Sequence, residues 1–184
     1  ENSWILFDDV VDMLHSLEGY RLGIISNGKS IQQRAKLSCT NIEKYFEIMH
    51  LTEKLKNNTR HSWLSSGRRE SVAEHCYRLT LMAYFMKDEF KDADIDKVIR
   101  MCMFHDIGEA FTGDIPTFEK KEKDSLKEEK IVENWIDELP KPYKKELHEL
   151  FKEMEEQVTT EAKLYKALDR MEAVIQHNEA DIRT

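Results

Sequence analysis

The sequence has no long apolar run. Its hydrophobic stretches are short and interrupted, as at Leu22-Gly23-Ile24-Ile25, far below the roughly 18 residues needed to cross a bilayer. That argues against a membrane role. A secretory leader is also missing from the start, and the opening at Glu1 rather than at a methionine reads as the mark of a fragment. Cysteine is scarce and unpaired in pattern: Cys39, Cys76 and Cys102 are scattered, with no CxxC. An odd, dispersed set of this kind fits reduced thiols in a cytoplasmic protein better than a disulfide framework. There is no excess of positive charge either. A formal net charge of -8 argues against sequence-blind binding to a nucleic-acid polymer, because that affinity comes mostly from Lys and Arg displacing counterions. A small phosphorylated ligand needs only a few local cations and stays open.

What is present is a soluble-type composition, 40% hydrophobic and 35% charged over 184 residues. That length holds one well-cored domain plus an appendage. Residues 1–40 read as a helix, a strand and a helix: Val10, Val11, Leu14 and Leu17 have helical spacing, Arg21 to Ile25 is a short β-type run, and Ser26-Asn27-Gly28 is a turn signal. From residue 41 onward the pattern is mainly α, with helices expected at 41–57, 71–89, 94–110, 120–139, 142–157 and 160–179, and no β pattern is evident after residue 50. Leu79, Met82, Ala83 and Met86 form one apolar stripe; Val98, Ile99 and Cys102 form another; Val132, Trp135, Ile136 and Leu139 form a third. Lys120 through Lys130 reads as a solvated, mixed-charge face.

Polar residues that continue these stripes point to chemistry. His105, Asp106 and Glu109 extend the face of Ile95, Val98, Ile99 and Cys102, and a carboxylate aimed at a core is costly unless paired or bound to metal. His75 precedes Leu79, Met82 and Met86 at helical spacing, and Asp169 follows Tyr165 and Leu168 on the inner face of the last helix. Each residue alone has a plainer reading, as a satisfied core histidine or an ion pair. Together, two imidazoles and two carboxylates from three helices suit one borderline or hard divalent ion: Mn, Co, Zn, Fe or Mg.

The order His75, His105-Asp106, Asp169 resembles the HD superfamily of metal-dependent phosphohydrolases. Five segments sharpen the resemblance: Arg60-His61-Ser62-Trp63, Glu70-Ser71-Val72-Ala73-Glu74-His75, His105-Asp106-Ile107-Gly108-Glu109, Thr112-Gly113-Asp114 and Lys166-Ala167-Leu168-Asp169. In this order they look like the bacterial 5′-deoxynucleotidases and the HD-domain-containing protein 2 group, over residues 41–181. The resemblance implies an HD-domain helical bundle over 41–184, carrying a short N-terminal α/β fragment. It implies that His75, His105, Asp106 and Asp169 hold the metal. Glu109 matches the position acting on the nucleophilic water, and Asp114 matches a second acidic residue. Arg60 and Trp63 match positions near the phosphate and sugar of a nucleotide, although this chain has two residues between its Arg and Trp where some relatives have none. Arg68 and Arg69 are further cations at the site entrance, or surface ion-pair partners.

The segment from Arg21 to Gly28, followed by Ser30 to Arg34, resembles the second motif of haloacid-dehalogenase-type phosphatases. Asp8-Asp9 does not fit the Asp-x-Asp nucleophile pattern of that class, so residues 1–40 are expected to be a truncated, non-catalytic arm. Three small elements cannot bury a core alone, so the arm should pack on the helical domain or a second chain, favouring a homodimer. The expected activity is release of phosphate from a (deoxy)nucleoside 5′-monophosphate. Hydrolysis of another small phosphoester, or a metal-stabilised regulatory role without turnover, are the alternatives. The presence of Glu109 and Asp114 beside the four ligands favours an enzyme, since a structural metal site needs neither.

Overall fold

The computed structural model describes residues 8–16, 43–116 and 118–181. The chain divides into two compact units, Glu1–His50 and Leu51–Thr184. In the first, α1 (Val10–Ser16) is a short helix whose last residue, Ser16, turns its hydroxyl back to the Met13 carbonyl at 2.7 Å. The strand expected at Arg21 to Ile25, its Ser26-Asn27-Gly28 turn and the next helix lie outside the described residues.

The second unit begins within α2 (Glu43–Asn57), whose Leu51 and Leu55 enter its core. A two-stranded antiparallel hairpin follows, β1 (Thr59–Trp63) and β2 (Arg69–Ser71), paired Thr59 to Ser71 and Trp63 to Arg69 with an irregularity between. This corrects the expectation of no β structure after residue 50. The strands are five and three residues long and rich in charge, so no alternating stripe announces them. Gly67, at φ 81°, makes the turn: its N–H donates to the Leu64 carbonyl at 2.9 Å, in a backbone region that glycine enters without a Cβ penalty.

The remaining elements are helical. Ser71 ends the hairpin and caps α3 (Val72–Phe85) in a capping box: its hydroxyl accepts from the Glu74 amide, and the Glu74 carboxylate accepts from the Ser71 amide. Asp94 caps α4 (Ile95–Phe104), accepting from the Lys97 amide at 2.9 Å. The expected helix 94–110 is therefore shorter: α4 ends at Phe104, and after a turn the single-turn α5 (Glu109–Thr112) follows. α6 (Glu122–Asp137), α7 (Tyr143–Glu156) and α8 (Thr160–Glu179) complete the unit, with Thr159 capping the last.

α3, α4 and α8 pack against one another pairwise, and α8 also meets β1. Their shared centre contains Val72, Leu79, Ala83, Val98, Met101, Cys102 and Ala162, all fully buried. Met82 from α3 and Met86 at its C-cap lean on this core, and Val132 and Ile136 close it from α6. Among the described residues no helix is long and apolar enough to cross a membrane.

Candidate metal centre and active site

The three mutually packed helices each deliver a polar group to one point. His75 lies one turn into α3, where the capping box has fixed the helix start, and it is fully buried. His105 is the C-cap of α4 and Asp106 follows it, so the break after Phe104 turns both inward. Asp169 lies in the middle of α8 beside buried Leu168.

Four atoms converge. His105 Nε2 is 3.1 Å from Asp106 Oδ2 and 3.7 Å from Asp169 Oδ1; His75 Nε2 is 3.3 Å from Asp169 Oδ1 and 3.8 Å from Asp106 Oδ2. The two rings stand edge-on, centroids 5.3 Å apart. Donors about 2.1 Å from a shared ion are about 3.0 Å apart at a right angle and about 3.4 Å apart at the tetrahedral angle. The 3.1 and 3.3 Å separations match that spacing and the 3.7 and 3.8 Å ones are slightly wider; His75, His105 and Asp106 form a group with metal-ligand spacing, and Asp169 Oδ1 lies against both imidazoles.

The other ends of the ligands are pinned. His105 Nδ1 lies 3.0 Å from the Cys102 carbonyl, which must take its proton, and His75 Nδ1 lies 2.6 Å from Glu172 Oε2. Both Nε2 atoms are thereby aimed at the cluster, yet both are buried without a hydrogen-bond partner. Lys166 Nζ holds Asp169 Oδ2 at 2.8 Å and leaves Oδ1 facing the imidazoles. Two orphaned ring nitrogens and two carboxylate oxygens, with the outer atoms tied, fit a divalent cation.

Without a cation the groups polarise each other. Burial would lower the His105 imidazole, but Asp106 beside it outweighs this and holds it well above its usual range. Burial would raise Asp106, and the charge of His105 beside it instead brings it to about 2. Asp169 is likewise lowered: burial opposes this, and His75, His105 and Lys166 prevail.

Glu109 opens α5 one turn beyond Asp106 and is buried, with Oε2 lacking a hydrogen-bond partner. Burial first, then the charges of Asp106, Asp114 and Glu128, push its carboxyl up to about 9. Asp114 follows Gly113, which takes φ 77° to end α5. Its carboxyl is also raised, by burial above all and by Asp106, against the pull of Arg60.

Arg60 is brought to this group from β1. Its Nη1 lies 3.3 Å from Glu70 Oε2 and 3.4 Å from Glu172 Oε2, and Asp106 and Asp114 act on its charge. Trp63 instead carries the Arg69 guanidinium over its ring at 4.2 Å, while its carbonyl accepts from Gln176 at 2.7 Å. Arg68 pairs with Glu74.

Three side chains escaped the sequence reading. Glu172 and Gln176 sit fully buried in the apolar stripe of α8 with Tyr165 and Leu168, and a carboxylate at that spacing was the available signal. Glu70, 1% exposed, faces Arg60 across the hairpin. A hairpin that had not been foreseen gave it no visible partner. Glu70, His75 and Glu172 also form a group with metal-ligand spacing. There, however, a guanidinium nitrogen already touches both carboxylates, so the compensating cation is Arg60.

The chain belongs to the HD domain family, whose model matches residues 52–184. It is accordingly an HD-type hydrolase, in company with metal-dependent phosphohydrolases. Among its relatives is human 5'-deoxynucleotidase HDDC2, 34% identical over 137 residues, covering 72% of this chain and 66% of that protein. The bovine 5'-deoxynucleotidase HDDC2 is 32% identical over 149 residues, 79% of this chain and 72% of that one. The crystal structure of a predicted metal-dependent phosphohydrolase from Magnetospirillum magnetotacticum superposes with a TM-score of 0.67 at 28% identity, covering 77% and 73% of the two chains. An HD-domain phosphohydrolase from Listeria innocua gives 0.58 at 26% identity, covering 73% and 67%. Residues 1–66 match a second model, described as haloacid dehalogenase-like hydrolase.

Proposed function

We propose that His75, His105, Asp106 and Asp169 hold one divalent ion, drawn from Mn, Co, Zn, Fe or Mg, and that the chain uses it to release phosphate from (deoxy)nucleoside 5′-monophosphates. The observation that carries this reading is the pair of buried, unpartnered Nε2 atoms facing two carboxylate oxygens at 3.1–3.8 Å. Named 5'-deoxynucleotidases at 32–34% identity support the substrate class.

When bound, the ion supplies an acidified water as nucleophile and neutralises charge on the phosphoryl oxygens. The protein's own groups do the rest. Glu109 takes the proton of the attacking water. Burial and its acidic neighbours raise its affinity for a proton, and an ion held by the four ligands would favour the ionised form that can accept one. Asp114, its carboxyl raised by burial, is assigned as the second acidic group of the site, and the departing sugar oxygen takes up the proton that Glu109 removed from the water. Arg60 orients the phosphate. Both of its carboxylate partners meet Nη1, and a guanidinium carries five N–H groups in all. Trp63 lies beyond Arg60 on the same strand and is assigned to the sugar or base.

Residues 1–40 are, in the same reading, a truncated haloacid-dehalogenase-like arm without catalysis, and 41–184 the HD phosphohydrolase domain. The chain is placed in the cytoplasm, where Cys76 and Cys102 stay as the free thiols seen here, and as a homodimer through exposed apolar side chains such as Tyr77 and Phe85. The test of function is inorganic phosphate release from a panel of ribo- and deoxyribonucleoside 5′-monophosphates with Mn, Co and Mg. Metal-dependent release from monophosphates is expected. Metal binding with no release from any of them would favour a regulatory role, and release only from other phosphoesters would move the substrate class.

A further inference from the structure

Glu172 is fully buried, touches no solvent and belongs to none of the groups assigned above to metal or substrate. Its Oε2 is 2.6 Å from His75 Nδ1 and 3.4 Å from Arg60 Nη1, and its Oε1 is 3.7 Å from Arg78 Nε. One carboxylate oxygen thus touches both an imidazole aimed at the four-donor point and the guanidinium assigned to the phosphate. Burying a carboxylate this deeply costs several kcal/mol unless it is compensated. Here the compensation comes first from those two functional groups and then from the charge of Arg78, while Oε1 itself has no hydrogen-bond partner.

We propose that Glu172 is a positioning residue that ties the metal ligand His75 to the phosphate-facing Arg60. Resting on the metal assignment above, this adds a link that the assignment does not require. A carboxylate can only accept at 2.6 Å, so it fixes the imidazole proton on Nδ1 and leaves the Nε2 lone pair for the ion, while raising the basicity of that nitrogen. The same oxygen limits how far Arg60 can swing. Metal and phosphate are therefore held in register through a single atom, whereas Glu70 meets the same Arg60 Nη1 at 3.3 Å and lies near His75, whose Nδ1 is taken by Glu172. His105 shows the contrast: its Nδ1 is pinned by the Cys102 backbone carbonyl, which has no second client of this kind.

A pair of conservative variants tests the link. Glu172→Gln keeps the shape and an acceptor oxygen but loses the charge; Glu70→Gln removes charge from Arg60 and leaves the bond between His75 and Glu172 in place. Co²⁺ affinity is measured by calorimetry and by the visible absorption of the bound ion, and KM is measured for a nucleoside monophosphate at saturating metal. Glu172→Gln should weaken Co²⁺ binding about tenfold, alter the Co²⁺ spectrum and raise KM. Glu70→Gln should raise KM and leave Co²⁺ affinity within twofold of the parent. A folded Glu172→Gln protein with parental Co²⁺ affinity and spectrum would overturn the proposal, as would equal loss of Co²⁺ affinity in both variants. His75→Ala separates this from the underlying assignment: if it binds Co²⁺ as tightly as the parent, the metal reading itself fails. Loss of Co²⁺ in His75→Ala with none in Glu172→Gln removes only the Glu172 link.

Discussion

The site is set by what each buried polar atom lacks. His75 Nε2, His105 Nε2 and Glu109 Oε2 are all buried without a hydrogen-bond partner and lie at one place, whereas Gln176 nearby is bonded through both ends of its amide. Leaving such atoms unpaired costs on the order of 1–3 kcal/mol each. A protein tolerates that where a ligand is to complete them. Glu109 makes the point testable. Its folded value near 9 stands above the usual 4.5, so between the two the folded chain keeps a proton that the unfolded chain has released. The contribution of Glu109 to the stability of the metal-free protein is therefore most favourable below the unfolded value and falls as pH rises toward 9. Glu109→Gln should flatten that dependence and stabilise the metal-free protein at pH 8 by on the order of 1–3 kcal/mol, read by urea denaturation across pH. With metal restored, the same variant should keep its ion and lose about 10²–10⁴-fold in turnover. Full turnover would remove Glu109 from the reaction.

The elements were legible to different degrees, for reasons visible in particular residues. The long helices announced themselves because Leu79, Val98, Ile136 and Leu168 recur at helical spacing and all are buried. The break after Phe104 did not, because the apolar period continues through the turn into Ile107 and Ala110, which are also buried. The hairpin was invisible for the opposite reason: Arg60, His61, Arg69 and Glu70 give strands of five and three residues no apolar alternation. His75, His105, Asp106 and Asp169 were accessible because each prolongs an apolar stripe. Glu172 prolongs one too, but its partner His75 is 97 residues away and only the packing of α3 on α8 brings them together. The turn before α5 carries a constraint of its own. A Cβ on Gly108 would lie 2.6 Å from Glu128 Cγ and 3.0 Å from Val132 Cγ2, so α6 approaches as closely as it does only because that residue is glycine. Gly108→Ala should destabilise the protein by about 1–3 kcal/mol and lower turnover by shifting Glu109, measured by denaturation and phosphate release. A fully active variant of parental stability would show that α6 can give way.

At the scale of the whole molecule, the ion is expected to act as a clasp. α3, α4 and α8 meet around the apolar core formed by Leu79, Met101 and Ala162, but their polar ends carry two carboxylates and two imidazoles. A ligand that binds only the folded state adds about 2.7 kcal/mol at a hundredfold excess over its dissociation constant. Chelation should thus lower the melting temperature by about 5–10 °C, with recovery on adding back Mn or Zn. A melting temperature indifferent to metal would place any bound ion outside the cluster. The sequence alone made the helical unit and its family resemblance accessible, because both rest on local spacing and five short motifs. The pairing of outer groups with inner ones was not accessible, since it depends on contacts between distant segments.

If three helices bring four side chains around one cation, anomalous scattering from crystals grown with Zn²⁺ will locate it. A single strong peak is expected about 2.0–2.2 Å from His75 Nε2, His105 Nε2, Asp106 Oδ2 and Asp169 Oδ1. A peak lodged instead between Glu70 and Glu172, or none in a zinc-saturated crystal, would contradict it.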